Sequence, residues 1–126
     1  MLHLIDSTIL IDQLRGYALA RSWLNSLRDD ESAISMVSSA ELLTGCRNKS
    51  EQSALEKSLA TYQLLWIDEQ TSRMSHDLYQ RFFLSHGTGF FDCLIAATAL
   101  RYQIVLATIN EKHFRHIPDL QVIRPY

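Results

Sequence analysis

Glycine and proline are scarce in this sequence, with four glycines and two prolines among 126 residues. Disordered and low-complexity chains carry far more of both, and 47% of these residues are apolar, so the composition predicts a compact, helix-rich fold. The glycines are also too few and too widely spaced to build a P-loop or a dinucleotide-binding turn. We predict a single domain over residues 1–126, because a chain of this length encloses one core.

Cysteine and long hydrophobic runs are also lacking. Cys46 and Cys93 lie far apart and outside any C-x-x-C pattern, which predicts buried free thiols and a reducing compartment. The longest apolar stretches fall well short of the ~20 residues that a membrane span requires. The first twelve residues contain Asp6 and Asp12 and no basic leader, unlike a signal peptide. We therefore predict a cytoplasmic protein with no membrane segment.

The chain has no excess of positive charge, since its formal net charge is −2. This argues against binding nucleic acid by bulk electrostatics, although an enzyme could still hold phosphates through metal ions. No Ser-His-Asp or Cys-His set is apparent. His113 and His116 could share a helix face, but no third nitrogen or sulfur ligand accompanies them, so we assign both to the surface or to packing.

Segments with strand and helix patterns alternate along the chain. Strands are predicted at residues 2–5, 33–37, 64–67, 104–107 and 120–123. Helices are predicted between them, from Ile9, over 17–27, after Ser38 or Ser39, and over 50–62, 68–85 and 89–100. This order predicts a three-layer α/β/α domain with a mainly parallel sheet of about five strands, the last of them at an edge.

Three acidic residues come directly after strands or open helices. Asp6 follows the first strand, Glu41 falls in the first turn of the helix after the second strand, and Asp92 opens the 89–100 helix. Each has an ordinary structural explanation. Asp6 and Asp92 could be helix N-caps, and Glu41 could be the capping-box partner of Ser38.

The alternative explanation is a shared metal site. A parallel sheet collects the carboxyl ends of its strands at one edge, where Thr108 and Asn110 would join the three acids. Crowded carboxylates repel one another unless a cation lies between them. Oxygen ligands of this kind suit Mg²⁺, with Mn²⁺ as a substitute, and such ions can activate water and stabilise the leaving oxygen of a phosphodiester.

Four segments along the whole chain carry a family resemblance by their order and spacing. They are DST at 6–8, SAELLTG at 39–45, DCLIAATA at 92–99, and LATIN at 106–110 followed by HF at 113–114 and IP at 117–118. They resemble the PIN domain, and specifically the VapC ribonuclease toxins of bacterial toxin–antitoxin pairs. The resemblance implies a PIN-like fold and a Mg²⁺-dependent endoribonuclease that hydrolyses RNA.

In residue terms, the resemblance implies that Asp6, Glu41 and Asp92 bind Mg²⁺ and catalyse cleavage. The implied supporting residues are Ser7 and Thr108, with Asn110 as a weaker metal ligand. It also implies a homodimer held inactive by a small VapB-like antitoxin, whose C-terminal tail lies in a groove beside the acids.

Two positions depart from the family pattern. Many members carry a fourth acid where this chain has Asn110, so we expect one tightly held Mg²⁺ and a second recruited with the substrate. Asp119 replaces a glycine that usually follows the proline. For RNA contact we consider four basic residues near the same edge. They are Arg47, Lys49, Lys112 and Arg115.

Two other functions compete with the nuclease. A catalytically silent PIN-like module would bind only RNA or a protein, and Asn110 favours it mildly, while the three intact acids favour the enzyme. An aspartyl-phosphate phosphatase or receiver domain shares the parallel sheet and the acid after the first strand. It would need a second acid where Thr8 stands and a lysine after a late strand, where none is obvious.

Overall fold

A wholly parallel, five-stranded sheet forms the centre of the protein, as seen in a computed structural model that describes residues 1–126. The strands are β1 (His3–Ile5), β2 (Ser32–Ser35), β3 (Gln63–Leu65), β4 (Val105–Ala107) and β5 (Val122–Ile123). Their order across the sheet is β3-β2-β1-β4-β5, so every neighbouring pair is joined in parallel. The predicted α/β class is confirmed, with β5 at an edge.

Six α-helices connect and cover the strands. They are α1 (Ser7–Leu14), α2 (Ala18–Ser26), α3 (Met36–Thr44), α4 (Lys49–Leu59), α5 (Glu69–His86) and α6 (Phe90–Tyr102). Short 3-10 helices occupy Asp29–Glu31 and Glu111–His113. None of the six α-helices combines the length and apolarity needed to cross a membrane.

The alternation of side chains along each strand separates the core into two layers. Leu4, Ala33 and Leu106 belong to a cluster with residues of α5 and α6. Their strand neighbours Ile5, Ile34 and Ala107 belong to a second cluster with residues of α1, α2 and α4. Because successive residues of a strand point to opposite faces, both faces of the sheet are covered. The predicted three-layer α/β/α architecture follows from this pattern.

The helix α6 is the most deeply buried helix of the fold. Ile95 to Ala99 are five consecutive buried residues, and three of them are alanines. Small side chains let a helix approach its neighbours closely on all sides. This packing fixes the N-terminal turn of α6, which carries Asp92.

The helix that directly follows β2, α3, begins earlier than the sequence predicts. Its N-cap is Ser35, whose hydroxyl accepts a hydrogen bond from the Val37 N–H at 3.1 Å. The predicted cap at Ser38 or Ser39 is therefore wrong, and so is a strand that continues to Val37. Glu41 is consequently the sixth residue of α3 and lies beyond its first turn, which removes the capping-box explanation for this acid.

Two smaller sequence predictions can be compared with the structure. Both cysteines are free thiols, as predicted, although Cys46 is only half-buried while Cys93 is buried. Asp119 adopts a left-handed backbone with φ of 65°. Such a conformation favours glycine, which accounts for the glycine expected at this position and implies a cost of roughly 1 kcal/mol for the aspartate.

Candidate active site

Asp6 lies at the carboxyl end of β1, the central strand of the sheet, and only 4% of the residue is exposed. It occupies the N-cap position of α1, yet its side chain caps no backbone N–H group. Its Oδ2 instead accepts hydrogen bonds from Thr108 Oγ1 at 2.7 Å and from Thr8 Oγ1 at 2.8 Å. These two hydroxyls hold the carboxylate in place and leave Oδ1 without a protein donor.

Thr108 reaches Asp6 because β1 and β4 are neighbours. Ile5 is paired with Ala107 in the parallel register, so the next residue of each strand meets at the same edge. Thr108 is fully buried, and its Oγ1 also accepts a hydrogen bond from the Asn110 N–H at 3.0 Å. The hydroxyl thus links the acid to the loop after β4. This edge between β1 and β4 is also where the strand order reverses, which is where open α/β sheets bind their ligands.

Asp92 lies in the first turn of α6, but Gly89 is the N-cap residue and no side chain caps this helix. The Asp92 side chain is 30% exposed, and its Oδ2 lies 3.4 Å from His113 Nδ1. Burial raises the pKa of the Asp92 carboxyl, and the charge of Asp6 raises it further, while His113 opposes the shift. Asp92 is therefore not used as a cap, and it lies within electrostatic reach of Asp6.

Glu41 completes the group from α3. The pKa of its carboxyl is raised, first by partial burial of the group and then by the charges of Asp6 and Asp92, while a hydrogen bond from the Ser7 hydroxyl opposes the shift. The residue as a whole remains exposed at the surface. The three acids, remote in sequence, thus form one electrostatically coupled cluster at the carboxyl edge of the sheet.

The carboxylates do not converge into a preformed cage, since no three Asp, Glu, His or Cys side chains lie close enough to hold an ion as they stand. Neighbouring carboxylates without a cation repel one another, which favours wider spacing. The same repulsion contributes to the raised pKa values of Glu41 and Asp92. Asn110 lies beside them, exposed, and its side chain forms no cap to the following 3-10 helix. The donors are all oxygens, which suits a hard cation such as Mg²⁺.

His113 is the residue that sequence reasoning missed at this edge. We assigned it to the surface or to packing, and that assignment overlooks its contact with Asp92. In the sequence, only its position three residues after Asn110 pointed to the site. The contact itself depends on the loop after β4, which folds back onto α6. His116 does serve packing, since its ring stacks on His86 at 4.2 Å and its Nε2 shares a hydrogen bond with Thr88.

A groove of about 730 Å³ begins at Glu41 and runs between α1, α3 and α4. Its apolar lining includes Leu14, Leu42 and Leu55. Arg47 also lines the groove, but Glu51 holds its guanidinium through hydrogen bonds of 2.8 to 3.3 Å. The groove therefore offers a mainly apolar surface with one of the three acids, Glu41, in its lining.

The other basic residues considered for RNA contact are all exposed. They are Lys49, Lys112 and Arg115. Lys112 belongs to the 3-10 helix that also carries His113, and Arg115 lies two residues after the end of that helix. Their role in RNA contact stays a prediction.

Comparison with known proteins gives a consistent result. The PIN domain family model matches residues 3–120 of the chain. Ribonuclease VapC10 of Mycobacterium tuberculosis (strain ATCC 25618 / H37Rv) is 40% identical over 124 residues, which cover 97% of this chain and 90% of that protein. A toxin-antitoxin complex from Klebsiella pneumoniae contains a chain that is 28% identical, with a TM-score of 0.83 and 98% of both chains covered.

A further solved structure, VapBC-1 from nontypeable Haemophilus influenzae, is 26% identical with a TM-score of 0.82, covering 99% of this chain and 98% of its own. The family match includes all three acids and the loop after β4. Sequence, fold and family model therefore agree along nearly the whole length, and the chain belongs to the PIN domain family.

Proposed function

We propose that the protein is a Mg²⁺-dependent endoribonuclease and acts as the toxin of a toxin–antitoxin pair. The observation that carries the proposal is the coupled cluster of Asp6, Glu41 and Asp92, none of which caps a helix. Grouping three acids at a sheet edge raises the pKa values of two of them and so costs stability. The ribonuclease name of the similar VapC10 protein supports the reaction class.

In this proposal Asp6, Glu41 and Asp92 hold the metal ion, and Asn110 contributes a weaker oxygen. Mn²⁺ is expected to substitute for Mg²⁺, since both take oxygen ligands and leave positions for water and phosphate. When bound, the ion supplies Lewis-acid polarisation of the phosphodiester and a lowered pKa for water. With an amide at position 110, we expect one firmly held ion and a second that arrives with the RNA.

The surrounding side chains orient the acids. Thr8 and Thr108 fix Oδ2 of Asp6 and leave Oδ1 available to a ligand. The Ser7 hydroxyl lowers the pKa of the Glu41 carboxyl and so favours its charged form. His113 Nδ1 lies 3.4 Å from Asp92 Oδ2 and so helps to hold that carboxylate in place.

The antitoxin is proposed to occupy the groove that begins at Glu41. Its apolar lining suits the apolar side of a short peptide segment, and Glu41 in the lining suits a basic side chain. Solved structures of similar fold include the Klebsiella pneumoniae toxin-antitoxin complex and VapBC-1. A small VapB-like protein is therefore the expected partner, and the cytoplasm is the expected compartment.

A homodimer is proposed through an exposed apolar patch at the junction of α5 and α6. Phe83, Leu84, Phe90 and Phe91 are 48%, 91%, 47% and 60% exposed. A contiguous patch of large apolar side chains is typical of a protein–protein interface.

The test is cleavage of a mixed-sequence single-stranded RNA with Mg²⁺, with Mn²⁺ and with a chelator. We expect cleavage with either ion, no cleavage with the chelator, and none by Asp6→Asn. Asp29→Asn serves as the matched control, because Asp29 is an exposed acid in the 3-10 helix before β2. Equal cleavage by Asp6→Asn and the wild type would refute the proposed metal site, and no cleavage by the wild type with either ion would leave only a silent PIN-like binding module, the alternative that Asn110 favours.

A further inference from the structure

A second pocket, of about 540 Å³, lies beside the candidate active site. One wall is Ile109, which stands between Thr108, bonded to Asp6, and the predicted ligand Asn110. Other walls come from the end of α1, the turn after it and the C-terminal segment. The pocket therefore touches the same loop that supports the acid cluster.

Two tyrosines line this pocket. The ring centroids of Tyr17 and Tyr126 are 5.7 Å apart, with an angle of 56° between the rings. The Tyr126 hydroxyl donates a hydrogen bond to Asp12 Oδ2 at 2.9 Å, which anchors that ring to α1. Tyr17 is 48% exposed, so a large part of its ring is open to solvent. Tyr126 packs against the second core cluster, so Tyr17 is the ring of the pair that is open to a ligand.

Two arginines flank the tyrosines. Arg124 is held in place by the Ile109 carbonyl at 3.2 Å and by Glu111 Oε2 at 3.5 Å. Arg15 takes part in none of the ion pairs of the protein. Gly16 has a φ of 82°, a backbone conformation that favours glycine. The turn at Gly16 places its neighbours Arg15 and Tyr17 side by side on the rim of the pocket. One guanidinium of this pocket is thus free to bind an anion.

The position of the pocket suits a substrate that also reaches the acids. Asp12 lies six residues after Asp6, about 9 Å along the chain of α1 at 1.5 Å per residue. Arg15 lines both this pocket and the groove that contains Glu41, so the two cavities adjoin. An extended strand held at the acid cluster would place a neighbouring nucleotide here.

We propose that this pocket binds one unstacked base of single-stranded RNA next to the cleaved bond, with the ring of Tyr17 stacking on the base and Arg15 contacting a phosphate. The assignment rests on the proposed nuclease function. Single-stranded RNA is commonly recognised by aromatic rings that stack on splayed bases and by arginines that bind its backbone. A protein segment fits less well, because Ile109 is the only aliphatic side chain of the lining, whereas the neighbouring groove is largely apolar.

The first experiment measures binding without chemistry. A fluorescently labelled oligouridylate is titrated into the full chain in a metal-free buffer, and anisotropy gives the Kd. We expect Tyr17→Leu and Arg15→Gln each to weaken binding about tenfold. Tyr102→Leu and Arg73→Gln are the matched controls, since both are exposed side chains outside the pocket, and they should bind as the wild type does.

The second experiment separates the base from the phosphate. An RNA that the wild type cuts is prepared with a single abasic nucleotide, moved stepwise away from the cut. At one position the abasic nucleotide should raise KM about tenfold in the wild type and leave kcat unchanged. In Tyr17→Leu the same nucleotide should cause no further rise, because the stacking partner is already absent.

The outcomes distinguish the two proposals. If the wild type binds the oligouridylate through Tyr17 but never cuts RNA, base binding in the pocket stands and the nuclease proposal fails. If RNA is cut and KM is the same in Tyr17→Leu, Arg15→Gln and the controls, the pocket assignment is wrong. Loss of antitoxin binding in Tyr17→Leu with RNA binding intact would assign the pocket to a protein partner and would also overturn it.

Discussion

Asp6 and Asp68 both stand immediately before a helix, yet the protein uses them differently. Asp68 caps α5 by accepting a hydrogen bond from the Thr71 N–H at 2.8 Å, and that bond holds the pKa of its carboxyl below the ordinary value. Asp6 makes no such bond and instead accepts hydrogen bonds from the hydroxyls of Thr8 and Thr108. The same residue type at the same helical position is therefore structural in one region and available to a ligand in the other.

The contrast extends to the other acids. Glu51, in the first turn of α4, has a lowered pKa because Arg47 donates hydrogen bonds to it. Glu41 and Asp92 have raised pKa values because they are partly buried near like charges. Asp68 and Glu51 accept hydrogen bonds from a backbone N–H or an arginine that outweigh burial, whereas burial and like charges outweigh the contacts of Glu41 and Asp92 with Ser7 and His113. This difference is the strongest physical support for the proposal that the edge binds a cation.

The largest expected effect is on cleavage by site-acid variants. Asp6→Asn or Asp92→Asn should lower the rate of Mg²⁺-dependent RNA cleavage at least ~100-fold, because a neutral amide binds the cation poorly. Asp92→Asn should also raise the Tm of the metal-free protein, since it removes a carboxylate whose pKa is raised by burial and by Asp6. Rates from product gels and Tm from calorimetry check both. Normal cleavage with a lowered Tm would show that these acids are structural after all.

A second prediction concerns the support of Asp6. Thr108→Val keeps the side-chain volume but removes the buried donor at 2.7 Å from Asp6 Oδ2. We expect cleavage to fall about tenfold and the free energy of unfolding to fall by about 1–3 kcal/mol. Thr98→Val is the matched control, because Thr98 is equally buried but donates only to the Leu94 carbonyl within α6. The cleavage rate of Thr98→Val should equal that of the wild type. Denaturant unfolding and cleavage assays on both variants check the prediction.

The third prediction is a pH dependence of opposite sign in the two regions. The folded protein binds the proton of Glu41 more tightly than the unfolded chain does, so this group favours folding at low pH and the benefit is lost as pH rises through the raised pKa. Glu41→Gln should therefore gain Tm relative to the wild type as pH rises, in metal-free buffer. Added Mg²⁺ should reverse the gain, because only the intact site binds the ion.

Asp68 supplies the opposite case. Its pKa is lowered on folding, so its contribution is present above the unfolded value and is lost as pH falls through the folded one. The Tm deficit of Asp68→Ala should hence widen as pH rises. For each variant, the difference in Tm from the wild type is measured from acidic to neutral pH. If this difference changed with pH in the same direction for Glu41→Gln and Asp68→Ala, the proposed distinction between the two kinds of acid would be wrong.

The smallest effect is expected for cap removal alone. At neutral pH, Asp68→Ala should lower the Tm by a few degrees through loss of the α5 cap, and leave the cleavage rate within error of the wild type. A thermal scan and a single cleavage assay are sufficient. A large loss of cleavage would mean that α5 positions Asp92 through its contact with α6.

Much of this arrangement could be predicted from the chain because it depends on local patterns. Alternating strands and helices with few glycines predict the parallel sheet, and the sheet predicts that Asp6 and Thr108 meet. The start of α3 could not be located, because Ser35, Ser38 and Ser39 are all good caps and only Ser35 is used.

Contacts between distant segments were beyond sequence reasoning. His113 reaches Asp92 only because the loop after β4 folds back onto α6. Tyr17 and Tyr126 come together through the edge position of β5, which no periodicity encodes. The predicted metal ligation of Asp6, Glu41, Asp92 and Asn110 stays a prediction, although the three acids do share one edge of the sheet.

The dense packing of α6 has a consequence for how this protein can vary. Ala96, Ala97 and Ala99 are 0–1% exposed on the helix whose first turn carries Asp92. A larger side chain at any of the three would displace the helix, and with it the acid. A substitution in this segment that disturbs the packing of α6 will therefore also move Asp92, so the same three alanines constrain both the stability of the fold and the geometry of the candidate site.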